Sequence, residues 1–153
     1  LRVPDRPGVA AQLFGELANQ SLNVDLVIQS IHEGNSNDIA FTVRSRHLTQ
    51  AESVVEHIAP ALRTQATAMD EAEVQTARSI AKISIAGAGM IGRPGVAAGM
   101  FSALADAGVN IQMIATSEIK ISCVGKRDKG VESLRVVHAA FGLAGSETVE
   151  VPA

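Results

Sequence analysis

Aromatic side chains are scarce in this sequence, which has four Phe and no Trp or Tyr among 153 residues. Proteins that hold single-stranded nucleic acid commonly stack the bases on aromatic side chains, and this chain has little material for such a platform. The sequence also lacks a run of Lys or Arg, and its formal net charge is -3. Because polyanion binders carry a strong positive potential, we expect no nucleic-acid partner.

Cysteines and long apolar runs are also missing. Cys123 stands alone, so no internal disulfide is possible, and no apolar run reaches the roughly 18 residues of a membrane span. Hydrophobic residues still make up 46% of the chain, which is enough for an aliphatic core. We therefore expect a soluble, cytoplasmic protein without a membrane partner. The sequence begins at Leu1, without Met or a signal-like segment, and we interpret it as a fragment of a longer protein.

One phrase occurs twice, as "RPGVAAQLF" at Arg6 to Phe14 and as "RPGVAAGMF" at Arg93 to Phe101, at an offset of 87 residues. The same offset places Ser30 on Ser117. Further along, "DIAFTV" aligns with "EIKISCV" at an offset of 80, because the first copy has a longer segment, "IHEGNSN", at this point. Insertions of this kind mark a hairpin loop. The chain therefore consists of two copies of one unit.

Hydrophobic periodicity predicts strand, helix, strand, strand, helix and strand in each copy. In the second copy a strand covers Ile80 to Ala86, and Gly108 ends the first helix as a C′ residue. One apolar helical stripe is formed there by Val96, Met100, Phe101, Leu104 and Ala105. The first copy lacks most of its opening strand, and its other elements are predicted at Val9 to Ala18, Val24 to Ser30, Ile39 to Val43, Leu48 to Leu62 and about Thr64 to Met69.

This order predicts an α+β fold of two ferredoxin-like βαββαβ units with antiparallel sheets and both helices on one face. We place the first domain at residues 1-70, with its first strand truncated, a linker at 71-79 and the second domain at 80-153. The sheet face without helices would expose aliphatic residues, and pairing with the twin copy or with a second chain would bury it. We expect a homodimer.

The repeated turn is a candidate binding site. Pro7 and Pro94 suit a first helical turn because they lack an N–H, and the helices continue with small side chains that leave backbone N–H groups uncovered. Such a helix start binds anions, and a carboxylate fits. Asp5 could act as an N-cap in the first copy, so the case for a vacant site is stronger in the second copy.

The second strand of each copy opens with polar residues, Asn23-Val24-Asp25 and Asn110-Ile111-Gln112, which we expect close to the helix start. Asp25 could pair with an ammonium group. Asp25 and the helix N–H groups together would form a pocket for a free amino acid. The second copy has Gln112 in place of Asp25, which indicates that the two copies need not hold the same ligand. The structural alternative is a Pro-Gly turn, an Asn that caps a strand and a solvated Asp25.

These residues resemble the tandem ACT domains of the aspartate kinase regulatory region. The resemblance rests on "VPDRPGVAAQLF", "NVDLVIQS", "NDIAFTV", "AKISIAGAGMIGRPGVAAGMF", "VNIQMIATSEIKISCV" and "LRVVHAAFGL". It implies a feedback sensor that binds lysine, threonine or both at interfaces between ACT domains. Binding would inhibit ATP-dependent phosphorylation of L-aspartate by a catalytic domain or subunit outside this sequence, and no cofactor is expected in this chain, since ATP and Mg²⁺ would bind in that kinase part.

Matching the family's effector positions nominates candidate residues in both copies. In the first copy they are Asp5, Pro7, Gly8, Val9, Ala10, Asn23, Val24, Asp25, Gln29, Asn37 and Asp38. In the second copy they are Ile91, Gly95, Val96, Ala97, Asn110, Ile111, Thr116, Ser117 and Glu118. The sequence departs from the family pattern at "GMIGRPG", where a Ser-His pair commonly precedes the Pro, and at "CVGKRDKG", where acidic residues are usual.

Other motifs in the sequence indicate other chemistries only weakly. "GAGMIG" has the spacing of a dinucleotide-binding fingerprint, but Arg93-Pro94 follows at once and a hairpin stands where a crossover helix is required. The four histidines have no metal-ligand spacing, and a core position is expected for Cys123. No phosphoryl-transfer motif appears, so we expect no catalytic or metal-binding residues in this chain. The alternative function is an interaction module that dimerises without a ligand.

Overall fold

The computed structural model describes residues 1-32, 36-63, 74-90 and 93-143. Contacts divide the chain into one unit that ends at Arg78 and a second that begins at Ser79. The linker at 71-79 remains a prediction; in its described part, Val74 packs against the core of the first unit and Arg78 donates a hydrogen bond of 2.7 Å to Glu52. No helix within the described ranges is long and apolar enough to cross a membrane.

The described part of the first unit is a three-stranded antiparallel sheet with two helices. Its elements are β1 (Arg2–Pro4), α1 (Val9–Asn19), β2 (Val24–His32), β3 (Ser36–Val43) and α2 (Leu48–Arg63). The strand order is β1-β3-β2. Leu13 and Leu17 of α1, Ile39 of β3 and Leu62 of α2 are almost fully buried in one core. The last predicted strand, about Thr64 to Met69, lies outside the described residues.

The second unit repeats this arrangement. Its elements are β4 (Ile80–Ala86), α3 (Val96–Asp106), β5 (Met113–Ser117), β6 (Lys120–Lys126) and α4 (Gly130–Ala140). The strand order β4-β6-β5 matches that of the first unit, and both pairings are antiparallel. The final strand predicted for this unit also falls outside the described residues. The α+β, ferredoxin-like fold predicted from the sequence is confirmed.

The apolar stripe of α3 packs on its sheet. Met100 and Leu104 are 0% and 1% exposed, and Val96 and Phe101 pack against the same core. The prediction is wrong for Ala105, which is exposed. Positions four residues apart share a helix face, so Met100 and Leu104 form the centre of the stripe and Ala105 lies beyond its edge.

Gly108 ends α3 as predicted. Its φ is 66°, its N–H donates to Ala105 O, and the next N–H, from Val109, donates to Leu104 O. These two bonds satisfy carbonyls at the helix end, and the left-handed conformation is one that glycine adopts without steric cost. Ser21 takes the same place after α1, with φ 57°.

The alignment of the two copies after the hairpin is corrected by the strand register. Val27 lies opposite Phe41 in the first unit, and Ile114 lies opposite Cys123 in the second. Since Val27 and Ile114 correspond at the offset of 87, Phe41 corresponds to Cys123 at an offset of 82. The predicted offset of 80 is wrong. A slip of two residues leaves every side chain on the same face, so alternation alone could not reveal it.

Candidate functional site

Helices α1 and α3 begin in the same way. Gly8 and Gly95 are the N-cap residues, with φ of 93° and 94°. Neither helix has a side-chain cap or an acidic residue in its first turn, so the first N–H groups are left available for an anion. Pro7 and Pro94 therefore precede the N-cap, and the prediction that they occupy the first helical turn is wrong, because each helix starts only after its left-handed glycine.

Asp5 does not cap α1, contrary to the expectation from the sequence. Its Oδ1 accepts a hydrogen bond of 2.9 Å from Asn37 Nδ2, which ties the loop before α1 to strand β3. Asn37 is 3% exposed, and its Oδ1 has no hydrogen-bond partner within the part of the chain that is described. The loop of the first unit is thus held by an internal carboxylate-amide contact.

The strand directions separate the two ends of the predicted pocket. Both β1 and β2 are antiparallel to β3, so they are parallel to each other, and α1 starts at the end where β1 stops. That end of β2 carries Ser30, whereas Asn23 and Asp25 lie at the opposite end. The five residue-to-residue steps from Asp25 to Ser30 span about 17 Å of strand.

The prediction that Asn23 to Asp25 lie close to the helix start is therefore wrong within one unit. The same holds for Asn110 to Gln112, because β4 and β5 are both antiparallel to β6. The small size of the unit favours proximity between any two of its segments. It does not take strand direction into account, and strand direction is what separates these two.

A β-bulge shapes the beginning of β2. Val24 pairs with Val43 and Val27 pairs with Phe41, so Asp25 and Leu26 both stand opposite Thr42. Leu26 is buried and Asp25 is exposed. In the second unit the carbonyl of Val124, which pairs with Met113, accepts a hydrogen bond from Gln112 N just before β5 begins. Bulges redirect side chains and are frequent next to functional sites.

A cavity of about 570 Å³ opens at the start of α3. One wall is the helix start, and another is the end of β5 with the turn that follows it. Six of the nominated residues line it, namely Gly95, Val96, Ala97, Thr116, Ser117 and Glu118. The repeated turn of the second unit thus meets the "TSE" segment in one pocket. Backbone N–H groups, two hydroxyls and a carboxylate can recognise a small polar molecule there.

Sequence reasoning missed Met90, Arg93 and Ile121, which line the same cavity. Arg93 could have been found, because it belongs to the repeated phrase and directly precedes the Pro-Gly turn. Its side chain and that of Glu118 have no hydrogen-bond or ion-pair partner within the described ranges. The cavity therefore contains one cationic and one anionic group that are both unpaired in this part of the chain.

The remaining nominated residues have other surroundings. In the second unit Ile91 lies outside the described residues, Asn110 is exposed, and Ile111 packs against the core without lining the cavity. In the first unit Val9, Ala10 and Val24 pack in the core. Asn23 and Gln29 are exposed, with Pro7 and Gly8 in the exposed turn. Asp38 Oδ1 lies 3.6 Å from Arg2 Nε.

Alternative chemistries receive little support from the geometry. Cys123 is 1% exposed in β6, and burial raises the pKa of its thiol. Both features are expected of a thiol in the core, because burial disfavours the charged thiolate. No group of three or more His, Cys, Asp or Glu side chains in the described ranges could hold a metal ion. The antiparallel order β4-β6-β5 also differs from the parallel sheet of dinucleotide-binding folds.

Comparisons with known proteins agree with this architecture. ACT domain models match residues 1-62 and 83-141. An aspartate kinase from Pseudomonas putida is 40% identical over 141 residues, which cover 92% of this chain and 33% of the relative. The chain thus spans about a third of that protein.

Two solved structures are similar over nearly the whole chain. An aspartate kinase from Synechocystis is 56% identical, with a TM-score of 0.89 over 99% of this chain and 26% of the other. The regulatory subunit of aspartate kinase from Thermus thermophilus is 37% identical, with a TM-score of 0.79 over 91% of this chain and 87% of the other. The match therefore covers most of a regulatory subunit.

Proposed function

The chain belongs to the ACT-domain regulatory region of aspartate kinases, and from this premise we propose that it senses free lysine, threonine or both by binding them at ACT domain interfaces. The observation that carries the proposal is the cavity where the uncapped start of α3 meets Thr116, Ser117 and Glu118. The helix N–H groups would donate hydrogen bonds to the carboxylate of the effector. Ser117 and Glu118 would contact its amine, because hydroxyl and carboxylate oxygens accept hydrogen bonds from ammonium.

An interface between two ACT domains explains how residues from both ends of a strand could serve one ligand. The nominated Asp25 lies about 17 Å along β2 from Ser30, a distance longer than one amino acid. A second chain in an antiparallel orientation would bring its own Asp25 next to the start of α1, where it would contact the amine of an effector as Ser117 and Glu118 would at the start of α3. The supporting observation is that β2 pairs with β3 alone among the described strands. We therefore propose a homodimer.

The proposed effect is inhibition of aspartate phosphorylation in the catalytic domain or subunit of the kinase. An effector can shift an enzyme between two states only by binding one of them more tightly, and a coupling of about 1 to 3 kcal/mol, or 5- to 150-fold in affinity, is typical. We place the protein in the cytoplasm, where an enzyme that consumes ATP and aspartate would meet the free amino acids.

Titration calorimetry of the 153-residue chain tests the effector proposal. L-lysine, L-threonine and L-methionine are each added up to millimolar concentration. We expect saturable heat with lysine or threonine and none with methionine. The absence of saturable heat and of any thermal shift with all three ligands would contradict the proposal and favour a module that dimerises without a ligand.

Asp25→Ala tests whether Asp25 contacts the ammonium group of the effector. We expect the variant to weaken lysine binding about tenfold or more, as for loss of a hydrogen bond to a charged group. The matched control is Asp106→Ala at the end of α3, which removes an exposed carboxylate. Unchanged affinity in Asp25→Ala would show that another group holds the ammonium.

A further inference from the structure

The segment that leads from the first unit into β4 is attached to the first unit near both of its ends. Residues 74-78, which we call the strap, belong to no helix or strand. Val74 packs against the core of the first unit, and the guanidinium of Arg78 contacts the carboxylate of Glu52 on α2. Side-chain contacts at its two ends therefore hold the strap against the first unit.

The contact between Arg78 and Glu52 is specific in geometry. Arg78 Nη2 donates a hydrogen bond of 2.7 Å to Glu52 Oε1 and a second, shorter one to Oε2. The Glu52 side chain is 18% exposed, whereas that of Arg78 is 64% exposed. Charge-assisted hydrogen bonds of this kind are directional, but an ion pair with one well-hydrated partner typically shifts an equilibrium by about fivefold or less. The contact can therefore form precisely and still open easily.

The residue after Arg78 is already held by the second unit. The carbonyl of Ser79 accepts a hydrogen bond of 3.0 Å from Arg127 N, and β4 follows directly. Only the peptide bond between Arg78 and Ser79 thus separates a residue held by the first unit from a residue held by the second. Release of Arg78 would free residues 75-78, which span roughly 13 Å when extended.

We propose that the strap is a releasable conformational device, in which the ion pair between Arg78 and Glu52 is the latch that sets how much free chain joins the two units. With the latch closed, the connection contains no free residues. With the latch open, Val74 remains the anchor on the first unit. Any change that passes along the chain from one unit to the other crosses the strap, so the latch controls how tightly this connection couples them. The device does not depend on which effector binds.

Trypsin provides a direct test on the full chain, because it must take the side chain of Arg78 into its specificity pocket to cut the bond before Ser79. Glu52→Gln keeps the size of the Glu52 side chain and removes its charge. We expect this bond to be cut about fivefold faster in Glu52→Gln than in wild type, followed by mass spectrometry. Glu56→Gln is the matched control, an exposed carboxylate about one turn further along α2, and should be cut at the wild-type rate.

Heteronuclear ¹⁵N relaxation measures the motion of the strap without a protease. The amides of residues 75-78 should lose rigidity in Glu52→Gln and equally in Arg78→Gln. The double variant should lose no more than either single variant, because both substitutions remove the same contact. Amide signals of β3 verify that each variant is folded. If Glu52→Gln disturbs β3, the relaxation of Arg78→Gln decides the test, since the Arg78 side chain is largely exposed.

Three results would overturn the latch. Equal cleavage before Ser79 in wild type and Glu52→Gln would show that the ion pair does not restrain Arg78. Equal acceleration in Glu56→Gln would attribute the change to the charge of α2 in general. Losses of rigidity that add up in the double variant would show that Arg78 and Glu52 act through separate contacts.

Discussion

Ser21 and Gly108 occupy the same left-handed backbone conformation after α1 and α3, with φ of 57° and 66°. An L-residue with a Cβ pays a steric penalty of roughly 1 to 2 kcal/mol there, which glycine avoids. Glycine also has more freedom in the unfolded chain, which offsets about 0.4 to 1 kcal/mol. We therefore expect Ser21→Gly to raise the free energy of unfolding by about 0.5 kcal/mol, measured by urea denaturation.

Gly108→Ser is the reciprocal change and should lower the free energy of unfolding by a similar amount. An added Cβ at Gly108 would meet no atom within 4 Å, so crowding cannot account for a loss of stability. If neither variant changes the free energy of unfolding, the left-handed conformation does not favour Gly over Ser at these two helix ends.

Cys123 gives a pH-dependent prediction. Burial raises the pKa of the folded thiol, so the unfolded thiol loses its proton at lower pH than the folded one. The unfolded state is then favoured by deprotonation, and stability should fall as the pH rises through and above the ordinary thiol pKa. We expect the native thiol to react far more slowly with a disulfide reagent at pH 8 than the denatured thiol, and Cys123→Ala to remove this contribution at alkaline pH. Equal reactivity in the native and denatured chains would contradict burial.

At the scale of the elements, sequence patterns located the described helices and strands but not the hairpin register, and the final strand predicted for each unit lies outside the described residues. Helix α3 was predictable because Met100 and Leu104 repeat at helical spacing. The hairpin register was not predictable, because a shift of two residues keeps Ile39 and Ile121 on the core face under either alignment. The N-cap role of Gly8 and Gly95 was not predicted, because the sequence shows a glycine but not its φ.

The candidate site was predicted in part for the same reason. The start of α3 and the "TSE" segment at the end of β5 meet in the cavity because both lie at the same end of the sheet, whereas Asn110 lies at the other end because of strand direction. Arg93 was not predicted because an exposed Arg gives no periodic signal, and only its place in the repeated phrase marks it.

The two cores provide a prediction for matched positions on α1 and α3. Leu17 and Leu104 correspond at the offset of 87 and are 0% and 1% exposed. Replacing either by Ala leaves a cavity and should cost about 2 to 5 kcal/mol. We expect amide hydrogen exchange to accelerate most on β3 in Leu17→Ala and most on β6 in Leu104→Ala.

Glu16→Ala, an exposed substitution beside Leu17, is the control and should change stability by less than about 0.5 kcal/mol. If either Leu variant accelerated exchange equally in β3 and β6, the two cores would not be energetically separate.

At the scale of the whole molecule, the proposed dimer depends on two edge strands. Val27 on β2 and Ile114 on β5 correspond in the repeat and are 50% and 43% exposed. Each strand pairs on one side only among the described residues. Exposed aliphatic side chains on open strand edges favour pairing with another chain, and Lys at such positions opposes it because its charge would be buried.

The double variant Val27→Lys/Ile114→Lys should therefore weaken dimerisation at least tenfold, measured by sedimentation equilibrium. Val131→Lys is the control, since this residue is 65% exposed on helix α4 and belongs to neither strand. Because Asp25 reaches the ligand only from a second chain in the proposed arrangement, the double variant should also lose lysine affinity together with dimerisation. A monomeric variant that binds lysine as tightly as wild type would place the whole site within one chain, and would exclude Asp25 as the partner of the ammonium group.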